Sequence, residues 1–177
     1  VHLEKLLLLM HYNKITFSSL RETVEKIGNF HLHIVGDTIV DSYTRTNMIG
    51  GQTKTPTLSV LYQGHDNYIG GAGIVAQHVR ATGAKVTLST ILGEDELKDF
   101  VIEGLKESGV ELDAVIDSSR PTINKNAIIA GGYRLIKIDT LDNRPISEEI
   151  VKKLAISIEN TSADGVVFSD FRHGLFN

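Results

Sequence analysis

The chain has no cysteine among its 177 residues. That excludes a disulfide framework, a thiolate zinc site and a cysteine nucleophile. It has no basic excess: the formal net charge is -4 and the isoelectric point is near 6.0, so the electrostatic footprint of a nucleic-acid binder is missing. It also has no long apolar run. Leu6 to Met10 is the candidate, and it is too short to cross a bilayer or to form the core of a signal peptide. The loop pattern Gly-x-x-x-x-Gly-Lys-Ser/Thr is absent, and so is the Gly-x-Ser-x-Gly elbow of a serine nucleophile. The 7 histidines are scattered, and none falls in a His-Glu-x-x-His spacing. Asn160-Thr161-Ser162 fits a glycosylation acceptor, but nothing else in the sequence points to secretion. Hydrophobic residues at 41% and charged residues at 23% describe an ordinary globular domain, expected to be soluble and intracellular.

What is present reads as alternating strands and helices. Ser19 with Glu22 predicts a capping box for a helix over 20–27, whose Leu20, Val24 and Ile27 share a face before Gly28. Strands are predicted at 32–35, 86–90 and 165–169, with helices over 70–80, around 97–105 and after Ser147. This alternation predicts an α/β fold with a parallel sheet and helices on its faces. Two stretches break the alternation. The polar run 44–68 holds a predicted strand at 57–62, and 123–130 and 133–139 flank Gly131-Gly132 as a two-residue hairpin. Both are expected to form an inserted β-layer outside the main sheet. The start at Val1 and the stop just beyond the last strand are expected to mark an excised segment.

Ligands of open parallel sheets sit beyond the carboxyl ends of the strands. Asp37, Asp41 and Asp170 fall at such ends, where a carboxylate can accept hydrogen bonds from the hydroxyls of a polyol. The alternative is that they cap the elements that follow. Gly70-Gly71-Ala72-Gly73 would let backbone approach a ligand at a helix start. Read as Gly71-x-Gly73-x-x-Ala76, with Glu94 and Asp95 about 20 residues on, the run also fits a dinucleotide-binding pattern. That second reading predicts that the glycines end a central parallel strand.

A series of segments resembles the ribokinase-like (PfkB-type) carbohydrate kinases, and most of all the heptose-phosphate kinases of ADP-heptose synthesis. The segments are 34–43 (IVGDTIVDSY), 70–76 (GGAGIVA), 81–84 (ATGA), 92–95 (LGED), 121–125 (PTINK), 134–139 (RLIKID) and 168–174 (FSDFRHG). The resemblance covers about 31–177. It leaves 1–30 as a helical extension or a linker, since this kinase type also occurs fused to nucleotidyltransferases. It implies a Rossmann-like three-layer sheet, here incomplete, with a β-sheet lid at about 44–69 and 120–140. It further implies ATP with Mg²⁺, a sugar or sugar phosphate as substrate, a cytoplasmic location, and a homodimer formed through the lid, with no nucleic acid or membrane as partner. Asp37, Asp41 and the backbone of Gly70 and Gly71 match positions that hold sugar hydroxyls. Lys125 and Arg134 match lid positions facing a substrate phosphate, and Asp170 lies in the family's Ser-Asp-Tyr segment. Ile74 stands where the family carries asparagine, and His173 where it carries lysine. The family's Gly-Ala-Gly-Asp segment, with the catalytic aspartate and anion hole, is not among these residues. The resemblance therefore places no catalytic residue in this chain. A non-catalytic sugar-binding relative is the other reading.

Overall fold

The computed structural model describes residues 2–51 and 57–176. Two helices come first, α1 (His2–Tyr12) and α2 (Phe17–Ile27). The capping box of α2 is one turn earlier than predicted. Thr16 accepts from the Ser19 backbone N–H, and the Ser19 hydroxyl accepts from the Thr16 N–H. The predicted cap, Ser19, is thus the third helical residue. The helix could extend backward because Phe17 continues the apolar stripe of Leu20, Val24 and Ile27.

Strands β1 (His31–Gly36), β4 (Lys85–Leu92), β5 (Glu111–Ile116) and β8 (Gly165–Ser169) form a 4-stranded parallel sheet in the order β5-β4-β1-β8. Helices α3 (Gly71–Ala81) and α4 (Glu96–Glu107) cover one face, where Ile34, Leu88, Ala76, Val101 and Leu105 interlock. Helix α5 (Glu148–Asn160) covers the other through Ile150 and Leu154 against Val35 and Ile91. These layers are the expected three-layer α/β core. Strand β5 was not predicted. Its sequence mixes Glu111 and Asp113 with apolar residues because it is an edge strand with a half-wet surface.

The second sheet is built by β2 (Thr38–Gly51), β3 (Leu58–Gly70), β6 (Ile123–Ala130) and β7 (Tyr133–Thr140), in the order β3-β2-β6-β7. Its β2–β3 part corresponds to the polar run, and it begins at Thr38 rather than near 44. Residues 52–56 of that run lie outside the described residues. Side-chain ladders explain how so polar a segment holds a strand. The Ser42 hydroxyl donates to Asn67 at 2.6 Å, Asn124 donates to Ser42 at 2.6 Å, and Thr44 donates to Asn126 at 2.9 Å. The β6–β7 hairpin turns at Gly131 and Gly132 with φ of 57° and 81°, the left-handed pair that a two-residue hairpin requires.

His31 and His33 share the α5-facing side of β1. His33 is fully buried, its Nε2 lies 2.8 Å from the Ser89 hydroxyl, and Ser89 continues to Ser157 on α5. Burial pushes the His33 imidazole below its ordinary value of 6.5, against an opposing effect of Asp113 and with a smaller downward push from His31. A group held neutral by the fold takes up its proton more readily once unfolded. The stability it confers is intact above pH 6.5 and is lost as pH falls through the lowered folded value. Urea midpoints should therefore drop between pH 7.5 and 5, and His33→Gln should flatten that dependence. A wild-type midpoint rising toward pH 5 would contradict this.

Candidate functional site

The main sheet passes into the second sheet at one residue, Asp37. Its backbone N–H donates to Ser169 at 3.2 Å, and its carbonyl accepts from Ala72 at 2.8 Å. Its side chain is 3% exposed, and Oδ2 accepts the backbone N–H groups of Phe171 at 2.9 Å and His173 at 3.3 Å. Three segments distant in sequence thus meet on this residue: the end of β1, the glycine turn and the loop after β8. Gly71 belongs to the same junction. Its φ is +57°, and a Cβ there would lie 2.2 Å from the Asp37 carbonyl oxygen, so a side chain is excluded both by conformation and by space.

Four residues further on, Asp41 stands half-buried on β2 in register with Tyr68 of β3 and Lys125 of β6. A Cβ on Gly70 would fall 2.4 Å from Asp41 Oδ2. The bare backbone of Gly70 therefore makes room for the carboxylate at the first turn of α3, where no side chain caps the helix. Asp41, Gly70, Gly71 and Lys125 converge. Successive odd residues of β2 extend this face: Tyr43 meets Tyr68 edge-on with ring centroids 5.7 Å apart, and Arg45 pairs with Asp66. Together with Ile129 they line an open cavity of about 490 Å³.

The other predicted residues lie apart from this convergence. Arg134 is exposed beside the hairpin turn, in register with Ile129. Ile129 and Lys125 are four positions apart on β6, roughly 13 Å, so Lys125 and Arg134 do not form one compact clamp. Asp170 is exposed and accepts the backbone N–H of Arg172 at 2.7 Å, which is the capping alternative. His173 is buried, and its Nδ1 is 2.7 Å from the Asn143 amide oxygen. Burial holds its imidazole below the ordinary value, Lys125 adds to that, and Asp37, Asp139 and Asp170 oppose it.

Sequence reasoning did not link the residues that root the second sheet to one another. Asp95 caps α4 by accepting from Lys98 N–H, and its other oxygen accepts the backbone N–H of Thr122 at 2.8 Å. The Thr122 hydroxyl in turn accepts the Gly93 N–H at 2.9 Å. Burial alone would raise the Asp95 carboxyl, but the hydrogen bonds from Thr122 and the α4 amides outweigh it and hold the group below its ordinary value. The segments Gly93-Glu94-Asp95 and Pro121-Thr122 carried this signal. Tyr43 and Tyr68 carried none.

The glycine run opens α3 directly from β3, a strand of the second sheet and not of the parallel one. The dinucleotide pattern requires the latter. Of the two acidic residues in that pattern, Asp95 is engaged at the root of β6 and Glu94 pairs with Lys98.

No protein-family model matches the chain. Curated relatives include the bifunctional protein HldE of Trichlorobacter lovleyi, 30% identical over 147 residues, covering 80% of this chain and 30% of that protein. The D-beta-D-heptose 7-phosphate kinase of Bordetella bronchiseptica is 29% identical over 162 residues, covering 86% of this chain and 49% of that one. Among solved structures, a carbohydrate kinase from Agrobacterium tumefaciens superposes with a TM-score of 0.61 at 17% identity, over 78% of this chain and 45% of its own. Phosphofructokinase-2 from Escherichia coli, in complex with fructose-6-phosphate, gives 0.59 at 15% identity, over 79% and 45%. The chain thus spans 30% to 49% of the length of these proteins.

Removing the Asp37 carboxylate leaves two backbone donors without partners. Asp37→Ala should cost about 1–3 kcal/mol in urea unfolding, and Asp37→Asn, which keeps one acceptor, should cost less. An unchanged midpoint for Asp37→Ala would show that the loop is held by something else.

Proposed function

We propose that this chain, a homologue of the heptose-phosphate kinases with the ribokinase-like carbohydrate kinase fold, supplies the sugar-binding wall and lid of an ATP-dependent carbohydrate kinase. The observation that carries the reading is the convergence of Asp41, Gly70, Gly71 and Lys125 where the lid sheet leaves the parallel sheet. A carboxylate beside uncapped helix amides and an ammonium group offers acceptors and donors together, which suits the hydroxyls of a sugar. Asp41 is assigned to accept from the substrate hydroxyls, with Lys125 donating beside it. Asp37 acts behind them by fixing the glycine turn and the loop after β8. Arg134 and Asp170 are left to the rim.

No group of three or more histidine and acidic residues that could hold a metal occurs among the described residues. Mg²⁺, ATP and the general base that activates the accepting hydroxyl are assigned, as part of the proposal, to the portion of a full-length kinase that the relatives span and this chain does not. The lid also carries exposed apolar side chains, including Leu58, Leu61 and Tyr62 on β3 and Ile136 and Ile138 on β7. They support pairing of two lids in a homodimer. No described helix is long and apolar enough to cross a membrane, and an ATP-using kinase is assigned to the cytoplasm. Ile74, half-buried on the first turn of α3, offers the substrate no side-chain hydrogen bond. That observation favours a non-catalytic sugar-binding relative as the second reading.

The test is phosphoryl transfer from ATP to a panel of sugars and sugar phosphates by the full-length protein. Asp41→Ala should lower kcat/KM on the order of 100-fold, the loss of one or two charge-assisted hydrogen bonds, without shifting the melting temperature. Full turnover by the variant would remove Asp41 from the site, and a folded wild type without turnover on any substrate would favour the non-catalytic relative.

A further inference from the structure

Behind the Asp37 junction lies a second, much smaller cavity. Asp37, Arg120, Asp142 and His173 line it, with Ile91 and Leu175 among its apolar walls. It leaves about 10 Å³ to a water-sized sphere. That is close to the roughly 10–15 Å³ one water needs, and far below the space for a phosphate or a sugar. His173 is 8% exposed, and its Nε2 is buried with no hydrogen-bond partner among the described residues. Its other ring nitrogen, Nδ1, meets the Asn143 amide oxygen at 2.7 Å, so Nδ1 carries the ring proton and Nε2 is left as an acceptor. Burial favours the neutral ring, which has only this one N–H to give. A buried acceptor left without a donor is costly, so Nε2 calls for one.

The other groups on the cavity wall leave complementary places open. The amides of Phe171 and His173 both go to Asp37 Oδ2, which leaves Oδ1. Arg120 donates from Nε to Asp117 and from Nη2 to the carbonyls of Arg144 and Pro145, which leaves Nη1. Asp142 is engaged by Arg144. The two acceptors, Nε2 and Oδ1, cannot bond each other. One water between them can donate to both and accept from the guanidinium, the three bonds that a buried water typically makes. A metal ion is the wrong occupant. No group of three or more histidine and acidic residues that could hold one occurs among the described residues, and the guanidinium would repel it.

We propose that this cavity is a binding site for one structural water, which donates to His173 Nε2 and Asp37 Oδ1 and accepts from Arg120. The water ties together the end of β1, the segment between β5 and β6, and the loop after β8. Through His173 Nδ1 the network reaches Asn143, ahead of α5. His173 is thus a positioning residue for the loop that the Asp37 carboxylate holds. The proposal stands apart from the sugar-kinase reading and does not depend on it.

The test is a crystal structure of the full-length protein at a resolution that shows ordered water, together with nitrogen NMR of the histidine rings at neutral pH. One water should lie within hydrogen-bond distance of His173 Nε2 and Asp37 Oδ1, and the His173 ring should carry its proton on Nδ1. His173→Phe, which keeps a ring but no acceptor, should lose the water and lower the melting temperature. A dry cavity, a direct bond from Arg120 to Nε2, an ion in the water's place, or a ring protonated on Nε2 would overturn the proposal. So would a His173→Phe protein that keeps the water. The wild-type readouts decide the matter even where that variant fails to fold.

Discussion

The structure depends on the Asp37 carboxylate. A buried acidic side chain is costly unless its lone pairs are used, and here one oxygen takes two backbone N–H groups from the loop after β8. The same residue's backbone ties the last strand and the first turn of α3. Because β1 ends and β2 begins on either side of it, the angle between the parallel sheet and the lid is set where these bonds are made. The glycine turn is fixed by the same contact, since the Asp37 carbonyl occupies the space that a side chain on Gly71 would need. In the proposed site Asp37 would act on a ligand through position and not by touching it, with Asp41, four residues further along the chain, as the residue that meets the ligand.

The lid is rooted twice. On one side β2 continues from β1 with a single intervening residue, and Thr90 braces the crossing by donating to the Gly36 carbonyl and accepting the Thr38 N–H. On the other side Thr122 is clamped between Gly93 and Asp95. Beyond these roots the lid strands hold one another through hydroxyl and amide ladders in place of an apolar core. Such ladders tolerate one wet face, which leaves the opposite face of the sheet available to a polar ligand.

Much of the core was legible because its signals are local. Val86 to Thr90 and Gly165 to Ser169 announce strands, Ser147 announces a cap, and Gly131-Gly132 announces a hairpin. The lid was legible only as a departure from alternation, because its strands are defined by cross-strand partners such as Asn67 and Asn126 that no linear pattern links to Ser42 and Thr44. For the same reason the two aspartates looked equivalent. Both lie just beyond the first predicted strand, and only the arrival of Phe171 and His173, more than 130 residues away, separates the structural carboxylate from the open one. The Tyr43–Tyr68 contact is also a product of register and was invisible before pairing was known.

The most direct measurement is a crystal structure of the full-length protein with a bound sugar. Sugar hydroxyls are expected within hydrogen-bond distance of Asp41, on the side of the lid that carries Tyr68, with Asp37 still accepting the Phe171 and His173 amides. A sugar on the opposite face of the lid, or one held by Asp37 after release of that loop, would contradict it.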